Sequence, residues 1–299
     1  IYDRLVGSEM CIRDSSVHFH RGGTDPSQTP ARVRGTVVAG NPGWGYVNHS
    51  ANVDFIANVA YDVTGAAYNT EAGDELGSYV GNIALRVVNP SDPLNSDEEF
   101  DADAREAAQD FGFQGDGFWL QGAGTRLENY VVAGIAGTAF FYWPEGLLEP
   151  GLGMMQINAA HLPKGELLAG REDQTINTWW NPVAGFQNNT AYNVSVGLEV
   201  IYLHTTYLNG DDDMPQEYVD QLHSTFDGLT VWNTRGQGMK VSYTERVTFS
   251  NIRLHGIGEE DSVGVAANQY QNQKTMRFEN LIVDGFGICL LYTSDAADE

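Results

Sequence analysis

Residues able to do acid–base chemistry lie near the start of the chain, in short polar clusters beside strand-like stretches. His18 and His20 are two residues apart, His49 follows a second apolar stretch, and Glu71 opens an acidic turn. Residues two apart in a strand face the same side, so His18 and His20 share a face if Phe19 points inward. Imidazoles and carboxylates are the usual proton-transfer groups of enzymes. The pattern predicts His20, Glu71 and His49 as catalytic residues, with His20 as general acid or base, Glu71 as its carboxylate partner and His49 as an orienting group.

A strip of substrate-binding side chains is predicted on the same face. With Val47 taken as inward-facing, the period-2 alternation places polar and aromatic side chains outward on successive strands. Together with His18, these predicted substrate-binding residues are Tyr46, Asn48, Trp119 and Gln121. Aromatic faces and hydrogen-bonding groups arranged along a sheet would suit a sugar chain.

Carboxylates near these clusters suggest a cation site. Asp74 and Glu75 end the acidic turn that begins at Glu71, and Asp116 stands between two glycines. Because carboxylate oxygens suit Ca²⁺, Asp74, Glu75 and Asp116 are predicted as candidate Ca²⁺ ligands. Alternatively, the first two form a solvated acidic turn and Asp116 occupies an ordinary Asp-Gly turn.

Other cofactors and chemistries find little support in the sequence. The His18-x-His20 pair can be a metal site, a catalytic pair or two surface histidines, and the sequence leaves all three open. The chain has no phosphate loop, no dinucleotide fingerprint and no Gly-x-Ser-x-Gly elbow.

An internal repeat provides the elements that would position these residues. Short strand-like units preceded by Gly or Asn recur, with their turn residues at Gly35, Asn58, Asn82, Asn129, Asn189, Gly228, Asn251 and Asn280. One such unit cannot bury its apolar residues alone, so units must stack with their strands paired in parallel. The sequence predicts an all-β fold, a right-handed parallel β-helix. The aligned asparagines are interpreted as a structural amide ladder rather than as functional groups.

Long insertions interrupt this repeat. They include residues 89–110, residues 144–181 with Met154, Met155, Trp179 and Trp180, and residues 209–213. Loops on a rigid scaffold commonly carry its binding face. Short helices are predicted over 101–110 and, with Pro215 at the first position, over 215–223. The paired methionines and tryptophans are interpreted as packing within the loop.

Both ends of the chain resemble translated sequencing adaptor. The suspect segments are 1–15, containing LVGSEMCIRDS from Leu5 to Ser15, and 289–299, CLLYTSDAADE. Excluding them leaves 16–288 as a single β-helix domain, truncated at both ends. Cys11 and Cys289 fall in the suspect segments, so no disulfide framework is expected. A truncated start would hide any signal peptide.

The charge and hydropathy of the chain argue against two classes of binding partner, nucleic acids and membranes. The chain has 16 Lys and Arg against 40 Asp and Glu, a net charge of −24. Such an acidic protein is not expected to bind nucleic acid, and no apolar run is long enough to predict a membrane span. The acidic surface suits a secreted or cell-surface setting, and the oligomeric state is left open.

A family resemblance adds to this interpretation. The stretches that carry it are Val17-His-Phe-His20, Val33-Arg-Gly-Thr-Val-Val, Asn58-Val-Ala-Tyr-Asp-Val-Thr-Gly65 and Thr70-Glu71-Ala-Gly-Asp74-Glu75. They resemble the β-helix of the cell-surface and secreted hyaluronidases related to cell-migration-inducing protein and to fibrocystin, together with bacterial relatives. The resemblance is specific as far as Asp92, and it implies Ca²⁺-assisted cleavage of an acidic polysaccharide.

These observations predict a secreted carbohydrate-active protein. Its expected substrate is a uronic-acid-containing, hyaluronan-like polysaccharide, cleaved by hydrolysis or β-elimination. Two alternatives remain, a non-catalytic glycan-binding adhesin or surface β-helix, and a polyuronate C5-epimerase.

Overall fold

Parallel β-strands dominate the protein. A computed structural model describes residues 15–89, 114–149, 153–163, 175–205, 214–269 and 276–294. The strands are β1 (Val17–Gly23), β2 (Ala31–Arg34), β3 (Val37–Ala39), β4 (Tyr46–Ala51), β5 (Val53–Ile56), β6 (Val59–Tyr61), β7 (Ala66–Thr70), β8 (Gly77–Val80), β9 (Ile83–Leu85), β10 (Asp116–Leu120), β11 (Thr125–Glu128), β12 (Val131–Ala133), β13 (Thr138–Tyr142), β14 (Leu148–Glu149), β15 (Gly153–Met154), β16 (Gln156–Asn158), β17 (Thr175–Asn177), β18 (Gly185–Tyr192), β19 (Val196–Ile201), β20 (Ser224–Thr234), β21 (Gln237–Ser242), β22 (Val247–Gly256), β23 (Val263–Gln269), β24 (Met276–Asp284) and β25 (Ile288–Ser294). An α-helix, α1 (Gln216–Gln221), lies inside the predicted range 215–223, and two 3₁₀ turns cover Ala159–His161 and Thr178–Trp180.

Two long sheets hold the strands together. The first sheet has the order β1-β4-β7-β10-β13-β19-β21-β23-β25, with every neighbouring pair parallel. In the second sheet each early coil contributes two short strands, such as β2 and β3 or β5 and β6. Each later coil contributes one long strand, and these are β18, β20, β22 and β24. The predicted all-β fold of stacked parallel strands is confirmed, and its topology is consistent with a parallel β-helix.

One residue per coil bends the chain within the second sheet. Gly35, Ala57, Gly81, Asn129, Asn188, Gly228, Asn251 and Asn280 all have positive φ, between 51° and 71°. The predicted repeat is therefore present, but its alignment is off by one residue at Asn58, Asn82 and Asn189, which each follow the bend. Asn can adopt the left-handed conformation and can also bond inward, so the same residue type occupies two adjacent positions in different coils.

The inward-facing asparagines form the predicted ladder. Asn82 Oδ1 accepts a hydrogen bond from the Asn58 backbone N–H at 2.9 Å, and Asn82 Nδ2 donates to the Phe55 carbonyl at 2.8 Å and to the Tyr130 hydroxyl at 2.7 Å. Asn189 Oδ1 accepts from the Tyr130 backbone N–H at 3.0 Å. Each amide satisfies buried backbone groups at the bend, so the structural interpretation of these asparagines is confirmed.

Stacked aromatic rings fill the interior behind the first sheet. Tyr46 and Tyr68 have ring centroids 4.9 Å apart, and Tyr68 and Phe118 have centroids 4.7 Å apart, with rings nearly parallel in both pairs. Phe140 extends the stack at 5.4 Å from Phe118. Since each ring comes from the equivalent position of successive strands, the stack fixes the register of β4, β7, β10 and β13.

The insertion after β13 packs against the side of the coils. Its described part contains β14–β17 and both 3₁₀ turns, and Trp179 and Trp180 pack in a buried cluster with Ile157 and with Tyr218 of α1. The packing interpretation of these tryptophans is confirmed. Met154 and Met155 are half-buried. The insertion at 209–213 and the helix predicted over 101–110 lie outside the described residues.

The last strand crosses the predicted adaptor boundary. β25 runs from Ile288 to Ser294 and pairs in parallel with β23, while Ile288 is 40% exposed and Leu290 58% exposed. A short apolar segment can add to an open sheet edge whatever its origin. The adaptor origin of 289–299 stays a prediction. In the described part of the chain, no helix has the length and apolar character needed to cross a membrane.

Candidate functional site

Three histidines and a glutamate meet on the outer face of the first sheet. Glu71 Oε2 lies 3.0 Å from His49 Nδ1 and 3.5 Å from His18 Nε2. The ring of His20 has its centroid 4.5 Å from that of His49. His49 and Glu71 are buried, whereas His18 and His20 are half-buried and border solvent. These four residues are called the histidine cluster below.

Strand register brings the cluster together. In the β1–β4 pair His20 lies opposite His49, and the Glu71 backbone N–H donates to the Asn48 carbonyl, which places Glu71 beside His49 on the next coil. Phe19 packs against the interior, so His18 and His20 face outward as the sequence predicts. The three strands therefore present the three predicted catalytic residues and His18 on one surface.

Glu75 fixes the turn that follows Glu71. One carboxylate oxygen of Glu75 accepts from the backbone N–H groups of Ala72 and Ser50, at 2.5 and 3.2 Å, and the other accepts from that of Gly73 at 2.7 Å. Gly73 has φ of 111°, and a Cβ there would lie 2.9 Å from Thr178 Cγ2, so glycine is required where the turn meets the insertion. Glu75 is therefore a structural residue that holds Glu71 in place.

The pKa values of His49 and His20 are shifted in opposite directions. Burial lowers the pKa of His49, but its hydrogen bond to Glu71 and the charges of Glu71 and Glu75 outweigh burial and leave the pKa raised. Burial and the charges of His49 and His18 lower the pKa of His20. Neighbouring groups whose pKa values are displaced apart can serve as proton donor and proton acceptor.

The predicted orientation of Tyr46 and Asn48 is wrong. Tyr46 points inward into the aromatic stack, and Asn48 points inward and donates from Nδ2 to the Leu76 carbonyl at 3.2 Å. Val47 is the outward-facing residue, and it packs with Trp44 and Trp119 in an apolar cluster on the outer face. Both faces of β4 are buried, so apolar character alone did not reveal which side faces the interior.

Trp119 and Gln121 face outward as predicted, but they are not exposed. Trp119 is 3% exposed and packs against Phe141, with ring centroids 4.4 Å apart. Gln121 is 1% exposed and follows β10 beside Glu71, since its backbone N–H donates to the Thr70 carbonyl at 3.1 Å. Trp119 therefore belongs to a buried apolar patch, and Gln121 is a buried polar residue next to Glu71; neither lies on an exposed strip.

The carboxylates predicted as Ca²⁺ ligands do not form an oxygen cage. Both oxygens of Glu75 accept backbone hydrogen bonds, and Asp116 Oδ1 accepts from the Thr138 backbone N–H at 2.8 Å. Burial raises the pKa of Asp74, of Glu75 to about 7 and of Asp116 to about 7. Among the described residues, the group with three metal-ligand atoms within 4.8 Å of one another is instead His18, His49 and Glu71.

A cleft lies where the acidic turn meets the insertion. Its volume is about 340 Å³, and its polar lining includes Thr24, Asp74, Gln156, Asn158, His161 and Asn181. Asp74, three residues after Glu71, connects the cleft to the histidine cluster. Sequence reasoning missed the lining residues of the insertion because they lie outside the repeat, where no periodicity indicates which way a side chain points.

Comparison with protein-family models, with curated proteins and with solved structures found no match. The resemblance to the hyaluronidase β-helices stays a prediction.

Proposed function

We propose that this chain is the right-handed parallel β-helix, with long loop insertions, of a secreted carbohydrate-active protein that cleaves an acidic, uronic-acid-containing polysaccharide. The observation that carries the proposal is the meeting of His18, His20, His49 and Glu71 from three successive coils on one outer surface. The main core of stacked aromatic rings lies on the other side of the sheet, so these four polar side chains are not part of it.

Cleavage of a glycosidic bond needs two proton-transfer groups. In either reaction one group donates a proton to the leaving glycosidic oxygen. The other group acts as base or nucleophile in hydrolysis, and in β-elimination it is the base that removes the proton beside the uronate carboxylate. His20 is half-buried at the edge of the cluster and acts on the substrate as general acid or base. Glu71 orients His49 behind it.

The cleft favours a sugar chain as the ligand. Its amide, hydroxyl and imidazole side chains offer both hydrogen-bond donors and acceptors, which suits the hydroxyl groups of successive sugar units. An anionic chain beside Asp74 requires compensating positive charge, which protonated His49, whose pKa is raised, or a bound cation supplies. Calcium at Asp74 stays a prediction.

The proposal is tested by incubating the protein with a panel of polyuronides, with and without chelator. Chain length is followed by size-exclusion chromatography, and unsaturated ends are followed by ultraviolet absorbance, which separates β-elimination from hydrolysis. His20→Ala is expected to abolish cleavage without unfolding the protein, whereas His255→Ala, on the far sheet, serves as the matched control.

Two results would contradict the proposed cleavage, and a third would contradict the assignment of His20. Binding without any shortening indicates a glycan-binding surface protein, and a changed uronate composition at constant chain length indicates an epimerase. Equal turnover by wild type and His20→Ala would show that His20 is not a catalytic residue.

A further inference from the structure

The histidine cluster brings three metal-ligand atoms, one each from His18, His49 and Glu71, within 4.8 Å of one another. His18 Nε2 and His49 Nδ1 lie 3.5 and 3.0 Å from Glu71 Oε2. Around tetrahedral Zn²⁺, with bonds of about 2.0–2.2 Å, ligand atoms lie roughly 3.3–3.6 Å apart. The His18–Glu71 separation fits this range, and the His49–Glu71 separation would open by about 0.3 Å on binding the ion. We propose that His18, His49 and Glu71 bind one divalent transition-metal ion of the Zn²⁺ class.

The ligand set selects the metal. Ca²⁺ and Mg²⁺ take oxygen ligands almost exclusively, whereas imidazole nitrogen suits Zn²⁺ and the neighbouring transition metals. Two imidazoles and one carboxylate therefore favour a transition metal over the Ca²⁺ that the sequence predicts at the acidic turn. The two sites use different residues, so one does not exclude the other.

Two buried amides on the same face give independent support. Asn69 is fully buried, and neither its Oδ1 nor its Nδ2 has a hydrogen-bond partner; Gln121 Oε1 likewise has none. Asn69 pairs in register with the outward-facing Val47 and precedes Glu71 by two residues, and Gln121 lies beside Glu71 on the next coil. Buried amides are almost always satisfied, and water or a substrate hydroxyl held on a metal ion would provide the partners that these two require.

The scaffold holds the three ligands in place while leaving coordination positions open. The ligands come from three neighbouring coils whose backbones are hydrogen-bonded in register. Three protein ligands are the number found in catalytic zinc sites, where a further position takes water or substrate. His20 lies next to the centre, with its ring 4.5 Å from that of His49. The metal site stands on this geometry, and only its part in chain cleavage rests on the proposed function.

The test measures metal binding directly. The full chain, expressed without a polyhistidine tag and stripped with chelator, is dialysed against Zn²⁺ or Co²⁺ in the presence of excess Ca²⁺. Bound metal is then counted by mass spectrometry, and the visible absorption of Co²⁺ reports its coordination. We expect one equivalent per chain and a low-symmetry Co²⁺ spectrum that Ca²⁺ does not displace.

Variants identify the ligands. Loss of a hydrogen-bond partner behind a metal ligand typically weakens binding about 10- to 100-fold, so His18→Ala, His49→Ala and Glu71→Gln should each weaken it by at least about 100-fold. His255→Ala should bind as wild type does, and circular dichroism confirms that each variant is folded. The alternative is a metal-free ion-pair cluster.

The outcomes separate the two proposals. Wild type that retains no metal, or ligand variants that bind as tightly as His255→Ala, would overturn the metal site. Metal binding without polysaccharide cleavage supports the site and contradicts the proposed function. Cleavage at full rate by metal-free protein would support the proposed function and would show that the metal ion has no part in cleavage.

Discussion

His49 Nδ1 lies 3.0 Å from Glu71 Oε2, and both side chains are about 95% buried. Because the carboxylate fixes the imidazole through this contact, Glu71→Gln should lower kcat for polysaccharide cleavage by at least about 100-fold, the lower end of the usual contribution of a positioned acid–base group. The measurement is initial-rate kinetics on the polyuronide that wild type cleaves best.

Glu217→Gln on the exposed face of α1 provides the matched control for this change, and it should keep the wild-type rate. A Glu71→Gln protein that is folded and turns over normally would show that Glu71 serves packing alone.

His161 borders the cleft on the insertion, away from the histidine cluster. His161→Ala should raise KM severalfold and leave kcat unchanged, because a contact made equally in the ground state and the transition state changes only binding. One lost hydrogen bond is worth about 1 kcal/mol, or roughly a fivefold change. An unchanged KM, measured beside His255→Ala, would place the sugar chain elsewhere.

Much of the fold and part of the site could be predicted from the sequence. The recurring turn residues indicated stacked coils, and the alternation around Phe19 placed His18 and His20 outward, because one face of β1 packs on the core. Strand β4 offered no such contrast. Val47 lies against Trp119 on the outer face while Tyr46 stacks on Tyr68 inside, so two buried faces gave apolar residues at adjacent positions.

Contacts of the insertion, and the hydrogen-bond partners of the acidic turn, could not be predicted. The cleft joins Asp74 to His161 through an insertion with no repeat register. Glu75 gave the sequence signal of a cation ligand, yet it binds backbone N–H groups of its own turn and of Ser50 on the preceding coil. A buried carboxylate that caps a turn and one that binds a metal have the same residue type, and only the partner atoms distinguish them.

Asn82 joins three coils through buried hydrogen bonds. Asn82→Ala leaves the Asn58 N–H and the Phe55 carbonyl without their partner, and each buried group left unsatisfied costs about 1–3 kcal/mol. The free energy of unfolding should fall by about 2–5 kcal/mol in denaturant titrations. Asn280→Gly, an exposed position at positive φ on the last long strand of the second sheet, should change it by less than about 1 kcal/mol. Equal effects of the two substitutions would contradict the buried ladder.

Asp116 should make stability depend on pH. Its side chain is fully buried, Oδ2 has no hydrogen-bond partner, and burial, with the charge of Glu199, raises its pKa from 3.8 to about 7. The folded protein therefore keeps this proton between about pH 4 and pH 7 while the unfolded chain releases it. Wild type should lose stability as pH rises through that range, since the folded state binds more protons.

Asp116→Asn mimics the protonated carboxyl and keeps an oxygen to accept from the Thr138 N–H. Relative to wild type, the variant should be equally stable near pH 3.5 and more stable at pH 8, by up to about 4 kcal/mol at about 1.4 kcal/mol per pKa unit. Urea titrations at several pH values measure the difference, with exposed Asp261→Asn as the control that should show none. If Asp116 were instead a calcium ligand, the Asp116→Asn variant would be less stable than wild type at pH 8 in the presence of Ca²⁺, the opposite of the expected result.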